Sequence, residues 1–210
     1  MYKVTLSLPC YGRPQRTKRA IECILSQDLE GWEALVVGDH CPKFQHLIDS
    51  GWLEERAKIA SSKGNSLVYY NLPDRTGHCG YQITNDNIKA AQGEYILFMG
   101  NDDIILPTHF SHYYGEISKT DLDYMFFNSY IHPLKRVRET KWAPSEIGHS
   151  EIIVRASLAK NAPQHSKRYG HEWDVLRYME KHGKGAKSES LLTTYHVRNI
   201  PNGGTKDKID

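Results

Sequence analysis

No apolar run in this sequence approaches the roughly 20 residues that a membrane-spanning helix needs. The four cysteines, Cys10, Cys23, Cys41 and Cys79, form no C-x-x-C pair and no dense framework, so they read as reduced thiols. Neither charge dominates: 27 Lys and Arg against 25 Asp and Glu leave a formal +2, which gives no reason to expect nucleic acid or an anionic membrane as main partner. There is no internal repeat, low-complexity segment or linker. Met1-Tyr2-Lys3-Val4 enters a strand pattern at once, so no signal peptide is visible. These absences predict a soluble, cytoplasmic protein. Its 210 residues suit one well-buried domain and are short for two.

What is present is a repeated strand-then-polar-loop pattern. Tyr95 to Met99 is an apolar run too short for a helix and without alternation, as in a strand buried on both faces of a parallel sheet. It stops at Gly100-Asn101-Asp102-Asp103. In open α/β sheets ligands bind beyond the carboxyl ends of the strands, so Asp102 and Asp103 lie where a site is expected. Paired carboxylates suit Mg²⁺ or Mn²⁺ with positions left open for phosphates. The same residues would also suit a loop before a helix starting at Pro107.

Around that stretch, Val4–Pro9 predicts a first strand and Pro14–Gln27 a helix with Ala20, Ile21, Ile24 and Leu25 on one face. Arg16, Lys18 and Arg19 on its other face read as solvated. Glu33–Val37 is a second strand ending at Gly38-Asp39-His40, which makes a parallel strand–helix–strand unit. Short helices interrupted near Ser50-Gly51 lead to a strand at Leu67–Leu72. The loop Asp74-Arg75-Thr76-Gly77-His78-Cys79-Gly80 could bring backbone N–H groups to phosphates, with Arg75 as the cation, or be a plain turn. A helix over Tyr81–Gln92 is expected to close at Gly93 as a C-cap. Further on, a helix runs from Pro107 to Lys119, a strand from Asp123 to Tyr130, and a helix ends near His182-Gly183. A last strand covers Ser190–Arg198, and a flexible tail runs over 201–210.

Several of these segments resemble family-2 glycosyltransferases of the GT-A fold. Pro9-Cys10-Tyr11-Gly12-Arg13-Pro14 is similar to the family's Pro-Thr-Tyr-Asn-Arg-Pro, and Val36-Val37-Gly38-Asp39 to its Val-Val-Asp-Asp. Gly93-Glu94-Tyr95-Ile96-Leu97-Phe98 with Asp102 is similar to the segment carrying its Asp-x-Asp motif. Gly170-His171-Glu172-Trp173-Asp174 resembles its Glu-Asp-Trp-Asp helix start.

The resemblance implies a single α/β domain, 1–210, with a mostly parallel central sheet flanked by helices. Residues 1–103 would form a nucleotide-sugar half and 104–200 an acceptor half. It implies transfer of a sugar from a nucleotide diphosphate sugar, UDP being the commonest, to a glycan or glycoprotein acceptor. Tyr11 would pack on the base and Asp39 bind base or ribose. Pro9, Arg13, Arg75, Gly77, Asn85 and Asn101 would line the donor site. Asp102, with Asp103 and His196, would hold Mn²⁺ or Mg²⁺. Glu172, or Asp174 two residues on, would be the catalytic base. Three departures stand out: Gly100 replaces the family's first Asp, Thr84 replaces the Arg before Asn85, and Glu172 stands where the family usually has Asp.

The run Lys135-Arg136-Val137-Arg138 then reads as an exposed loop near the acceptor rather than a nucleic-acid patch. Two rival functions remain. A nucleotidyltransferase would want a Gly-rich, basic loop after the first strand, of which Cys10-Tyr11-Gly12-Arg13 is a poor version. A non-catalytic sugar-nucleotide or glycan-binding module is favoured by Gly100.

Overall fold

Alternating burial and helical periodicity resolve the described residues into eighteen helices and strands in the computed structural model. It describes all residues except 78–79, 165–171, 190–193 and 197–210, and the backbone alone at 133, 172 and 194–196. The first half runs β1 (Tyr2–Cys10), α1 (Pro14–Leu25), β2 (Trp32–Gly38), α2 (Pro42–Asp49), α3 (Trp52–Ser62), β3 (Ser66–Asn71), α4 (Tyr81–Ala90) and β4 (Gly93–Phe98). The second half adds β5 (Asp103–Ile105), α5 (His109–Ile117), β6 (Tyr124–Phe126), β7 (Ser129–Ile131), β8 (Arg136–Arg138) and β9 (Ile152–Arg155). It closes with α6 (Ala156–Asn161), α7 (Glu172–His182), β10 (Gly185–Lys187) and β11 (Thr194–His196).

A seven-stranded sheet in the order β10-β6-β9-β4-β1-β2-β3 forms the centre of the molecule. β1 pairs in parallel with β2 and β4, and β2 with β3. β9 runs antiparallel between β4 and β6. Every residue of β2 is buried, as expected of a strand covered on both faces. α1 lays Thr17, Ala20, Ile21, Ile24 and Leu25 on one side of the sheet, beside Trp32, Phe110 and Tyr113. A second apolar cluster forms where Ile96, Phe98, Ile152 and Val154 meet Val175, Leu176 and Met179. A smaller four-stranded sheet, β5-β11-β7-β8, stands apart from the large one.

Several expectations are corrected. The strand expected over Asp123–Tyr130 is two strands in different sheets, because Phe127 turns into the core and stacks on Tyr113, ring centroids 3.8 Å apart. The neighbouring Asn128 side chain accepts Thr140 N–H at 2.9 Å. Lys135–Arg138 is not a loop: it enters β8, an edge strand paired antiparallel to β7. Of the expected strand Ser190–Arg198, β11 supplies Thr194–His196, and the rest lies outside the described residues. The expected tail over 201–210 also falls there. Cys10, Cys23 and Cys41 carry free thiols, while Cys79 is outside the description. Among the described residues no helix is long and apolar enough to cross a membrane.

Gly93 is not a helix cap. α4 ends with Ala91 extended (ψ 130), and Gly93 opens β4 against β1. A Cβ there would lie 2.5 Å from the backbone N of Thr5 and 2.6 Å from the backbone C of Val4. Backbone cannot yield as a side chain can, so Gly93→Ala is expected to lower stability by about 1–3 kcal/mol, the usual range for overpacking. Urea unfolding is the measurement, and an unchanged midpoint would show that the β1–β4 approach relaxes freely.

Candidate active site

β1, β2 and β4 end at the same edge of the sheet, and the loops beyond them meet there. The loop after β4 turns at once, with Asp103 N–H donating to Gly100 O at 3.0 Å. Both carboxylates fold back over the glycine. A Cβ on Gly100 would lie 3.0 Å from Asp102 Oδ1 and 3.1 Å from Asp103 Oδ2. The space a side chain would fill is instead bordered by two acidic oxygens, and this accounts for glycine at that position. Among the described residues no group of three or more His, Cys, Asp or Glu gathers for a metal. The converging pair still fits a hard divalent cation that takes its remaining ligands from phosphates or water.

Two arginines steady this turn. Arg13 sits in the left-handed region (φ 45, ψ 55) as the residue before α1, which starts at Pro14. Its Nη1 meets Asp102 Oδ2 at 2.5 Å, with both side chains mostly buried. Arg19, six residues on and within α1, donates from Nη2 to the Asp102 carbonyl at 3.1 Å. The expectation of a merely solvated α1 face is therefore corrected: Lys18 also lies over the Trp52 ring, 5.2 Å from its centroid. The spacing of three cations on the helix after the first strand was the available signal. Asn101, expected to line the donor site, is buried and donates to Tyr11 O at 3.4 Å and Thr17 Oγ1 at 3.1 Å, so it ties the first loop to α1.

The second group centres on Asp39, which follows β2. It is 4% exposed, and its carboxylate accepts from Thr76 N–H at 2.6 Å, Thr76 Oγ1–H at 2.8 Å and Gly77 N–H at 2.9 Å. The glycine loop's amides thus face the protein's own anion rather than open space for a phosphate. Of the two alternatives for this loop, the bonds favour the turn over amides left open to phosphate. That anchored loop carries Arg75, whose guanidinium lies 4.2 Å above the Tyr11 ring. Tyr11 is 47% exposed, so its aromatic face and the cation border solvent beside the carboxylate turn. Pro9 packs against Gly80 (φ 79), where a Cβ would lie 2.7 Å from the proline Cβ. Asn85 is buried within α4.

The third group comes from the far side. Ser150 Oγ donates to Asp103 Oδ2 at 2.8 Å, and Gly100 N–H donates to the same oxygen at 3.2 Å. Asp103 is therefore buried and held inward, while Asp102 is the more open acid. Ser150 belongs to the short 3₁₀ turn His149–Glu151, whose Glu151 is fully buried. Glu151 accepts from Ser129 Oγ and from Gly148 N–H, and Arg138 lies 3.5 Å away. One turn thus ties the carboxylate loop to β7 and β8. Neither Ser150 nor Glu151 is singled out by the sequence, where both fall in the run Ile147–Leu158 that resembles a family strand; the strand itself begins only at Ile152. The backbone of His196 stands directly opposite Asp103 in the β5–β11 pairing. Glu172 is the first residue of α7, and Asp174 follows in its first turn, partly buried. The side chains of Glu172 and His196 lie outside the described residues.

The model of glycosyl transferase family 2 matches residues 5–166. A putative colanic acid biosynthesis glycosyl transferase of Escherichia coli is 27% identical over 108 residues, which cover 51% of this chain and 35% of that protein. This chain thus spans about a third of that relative's length. Among solved structures, S. aureus TarS 1–349 in complex with UDP superposes with a TM-score of 0.74 at 15% identity, covering 92% of this chain and 60% of that one. The mannosyltransferase PcManGT from Pyrobaculum calidifontis, in complex with GDP-Man and Mn²⁺, gives 0.69 at 13% identity, covering 97% and 59%. At such identities the structural likeness is one of fold.

Asp39 holds the loop that carries Arg75, so Asp39→Ala is expected to free it. The loss should be on the order of 1.5–3 kcal/mol in stability, the scale of hydrogen bonds to a charged group. Trypsin should then cut after Arg75 faster than in the parent, with Asp39→Asn in between. Equal cleavage in Asp39→Ala would mean that something else holds the loop.

Proposed function

Because the chain belongs to glycosyl transferase family 2, matched over residues 5–166, we propose that it transfers a sugar from a UDP-type nucleotide diphosphate sugar to a glycan or glycoprotein acceptor, with inversion at the anomeric carbon. The observation that carries this reading is the pair of carboxylates folded over Gly100 beside Arg13, Tyr11 and Arg75. An aromatic face, two cations and an acidic pair at one sheet edge match the three parts of such a donor: base, diphosphate and the cation that accompanies it. Neighbours of the same fold in complex with UDP, or with GDP-Man and Mn²⁺, support the donor class.

In this reading Tyr11 supplies stacking area for the base. Arg75, now lying on that ring, moves aside to the diphosphate as the base takes its place. Arg13 is shared between Asp102 and the diphosphate, so donor binding redistributes one positive charge rather than importing it. Asp39 acts through the loop it anchors. Mn²⁺ or Mg²⁺, held by Asp102 and Asp103 with His196 as the further candidate, would neutralise charge that builds on the departing diphosphate. Ser150 keeps the Asp103 carboxylate aimed over Gly100. Glu172 accepts the proton of the attacking acceptor hydroxyl, which lets the oxygen bond to the anomeric carbon as the nucleotide diphosphate leaves. Asp174 is the substitute for that role. Incubation with Mn²⁺ and a panel of nucleotide-sugars, followed by assay for released nucleotide, tests the activity as a whole. Release from no donor would sink it.

Two substitutions test the parts. Asp102→Ala is expected to remove the metal dependence of UDP binding in calorimetry with and without Mn²⁺. If the dependence is unchanged, Asp102 is not the ligand. Glu172→Gln keeps shape and hydrogen bonding but cannot take a proton. It should bind donor normally and lose about 10²-fold or more in transfer rate. Near-parental transfer, or a product of retained configuration, would overturn the role given to Glu172.

A further inference from the structure

A sheet edge exposes a row of unpaired N–H and C=O groups, which folds normally shorten, charge or cover. Among the described residues the two sheets end in four edge strands, β10, β3, β5 and β8. Three of them are three residues long and carry charge: β10 ends in Lys187, β5 opens with Asp103, and β8 holds Arg136 and Arg138. β3 breaks the pattern. Its six residues, Ser66-Leu67-Val68-Tyr69-Tyr70-Asn71, include neither a charge nor a proline. Leu67 is buried and Tyr69 packs on the core, yet the alternate positions Val68 and Tyr70 are 41% and 44% exposed. On α3, Ile59 is 37% exposed as well. Lys58, which lies near Tyr69, is already tied to Glu54 at 2.6 Å.

We propose that β3 pairs antiparallel with β3 of a second copy of this chain, across a two-fold axis normal to the sheet, so that one sheet runs through both subunits. The strand is self-complementary in the register centred on Tyr69. There Val68 faces the partner's Tyr70 and Tyr69 faces the partner's Tyr69, and every pair keeps both residues on the same face of the pleat. A β-branched residue opposite an aromatic one is a favourable cross-strand pair, and two-fold symmetry repeats it. No like charges meet along the strand. The two exposed side chains of β3 thereby cover one another, which a charged edge such as β8 could not do with its own copy.

Sedimentation equilibrium of the full chain through the micromolar range should show a dimer. Val68→Lys adds a charge at the edge and should weaken association on the order of 100-fold or more, with circular dichroism unchanged and melting equal to the parent's when both are diluted to monomer. Val137→Lys on the β8 edge should leave the dimer intact. In the parent chain, amide exchange over residues 66–71 should slow as concentration rises, which decides the matter even if Val68→Lys does not fold. A monomer at all concentrations, or a Val68→Lys dimer as tight as the parent, would overturn the proposal. So would concentration-dependent protection that appears only elsewhere in the chain.

Discussion

The site depends on the absence of one side chain. With only hydrogen at Gly100, the chain turns within three residues of β4, and two consecutive aspartates point back over the turn instead of apart. Adjacent carboxylates repel, and each must be stabilised separately. Arg13 does this for Asp102, while Ser150 and the Gly100 amide do it for Asp103. The residues that answer these two charges come from opposite sides, one from the loop after β1 and the other from the turn before β9. Two distant parts of the chain are thereby drawn to one strand end.

The same logic of satisfied polar groups runs beneath the site. Glu33 is buried in β2, where it accepts from Thr5 Oγ1–H at 2.6 Å and from Gln92 N–H at 2.6 Å. Asn87 joins Ser7 Oγ at 2.9 Å to the Leu35 carbonyl at 3.3 Å. These bonds fix the entry to β4 and the seating of α4 against β1, and so set where the carboxylate loop begins. Burying such groups without partners would cost several kcal/mol in total. Asp39 extends the principle outward, since its bonds hold a loop instead of a strand.

How much of this was legible follows from how local each signal is. β2 and β4 were readable from the short apolar runs Ala34–Val37 and Tyr95–Met99, as in strands covered on both faces, and β1 from Val4, Leu6 and Leu8; the place of Asp102 followed from where β4 stops. Phe127 reads as one more apolar residue in a strand, although it leaves one sheet to stack on Tyr113. Ser150 and Glu151 could not be picked out, because their value lies in partners 47 and 22 residues away. Gly93 was misread because a glycine after a helix most often caps it, whereas here the deciding contact is with a distant strand. The loop over Asp74–Gly80 stayed open between a phosphate-facing loop and a plain turn, since no local feature reveals that Asp39 reaches the amides of Thr76 and Gly77.

Residues 124–131 serve two sheets in succession, with Phe127 and Asn128 between them. On one side, β6 is sealed into the central sheet beside β9 and β10. On the other, β7 belongs to a small sheet bound to the carboxylate loop through Ser150 and Glu151. Inheritance can therefore act unequally on the two halves. A lineage could lengthen β8, exchange its arginines or extend the chain beyond β11, and disturb little on the far side of Phe127. Changes within β1, β2 or β4 would propagate through packed backbone. Descendants of such a scaffold are expected to diverge at the small sheet while keeping the strand ends that hold Tyr11, Asp39 and Asp102.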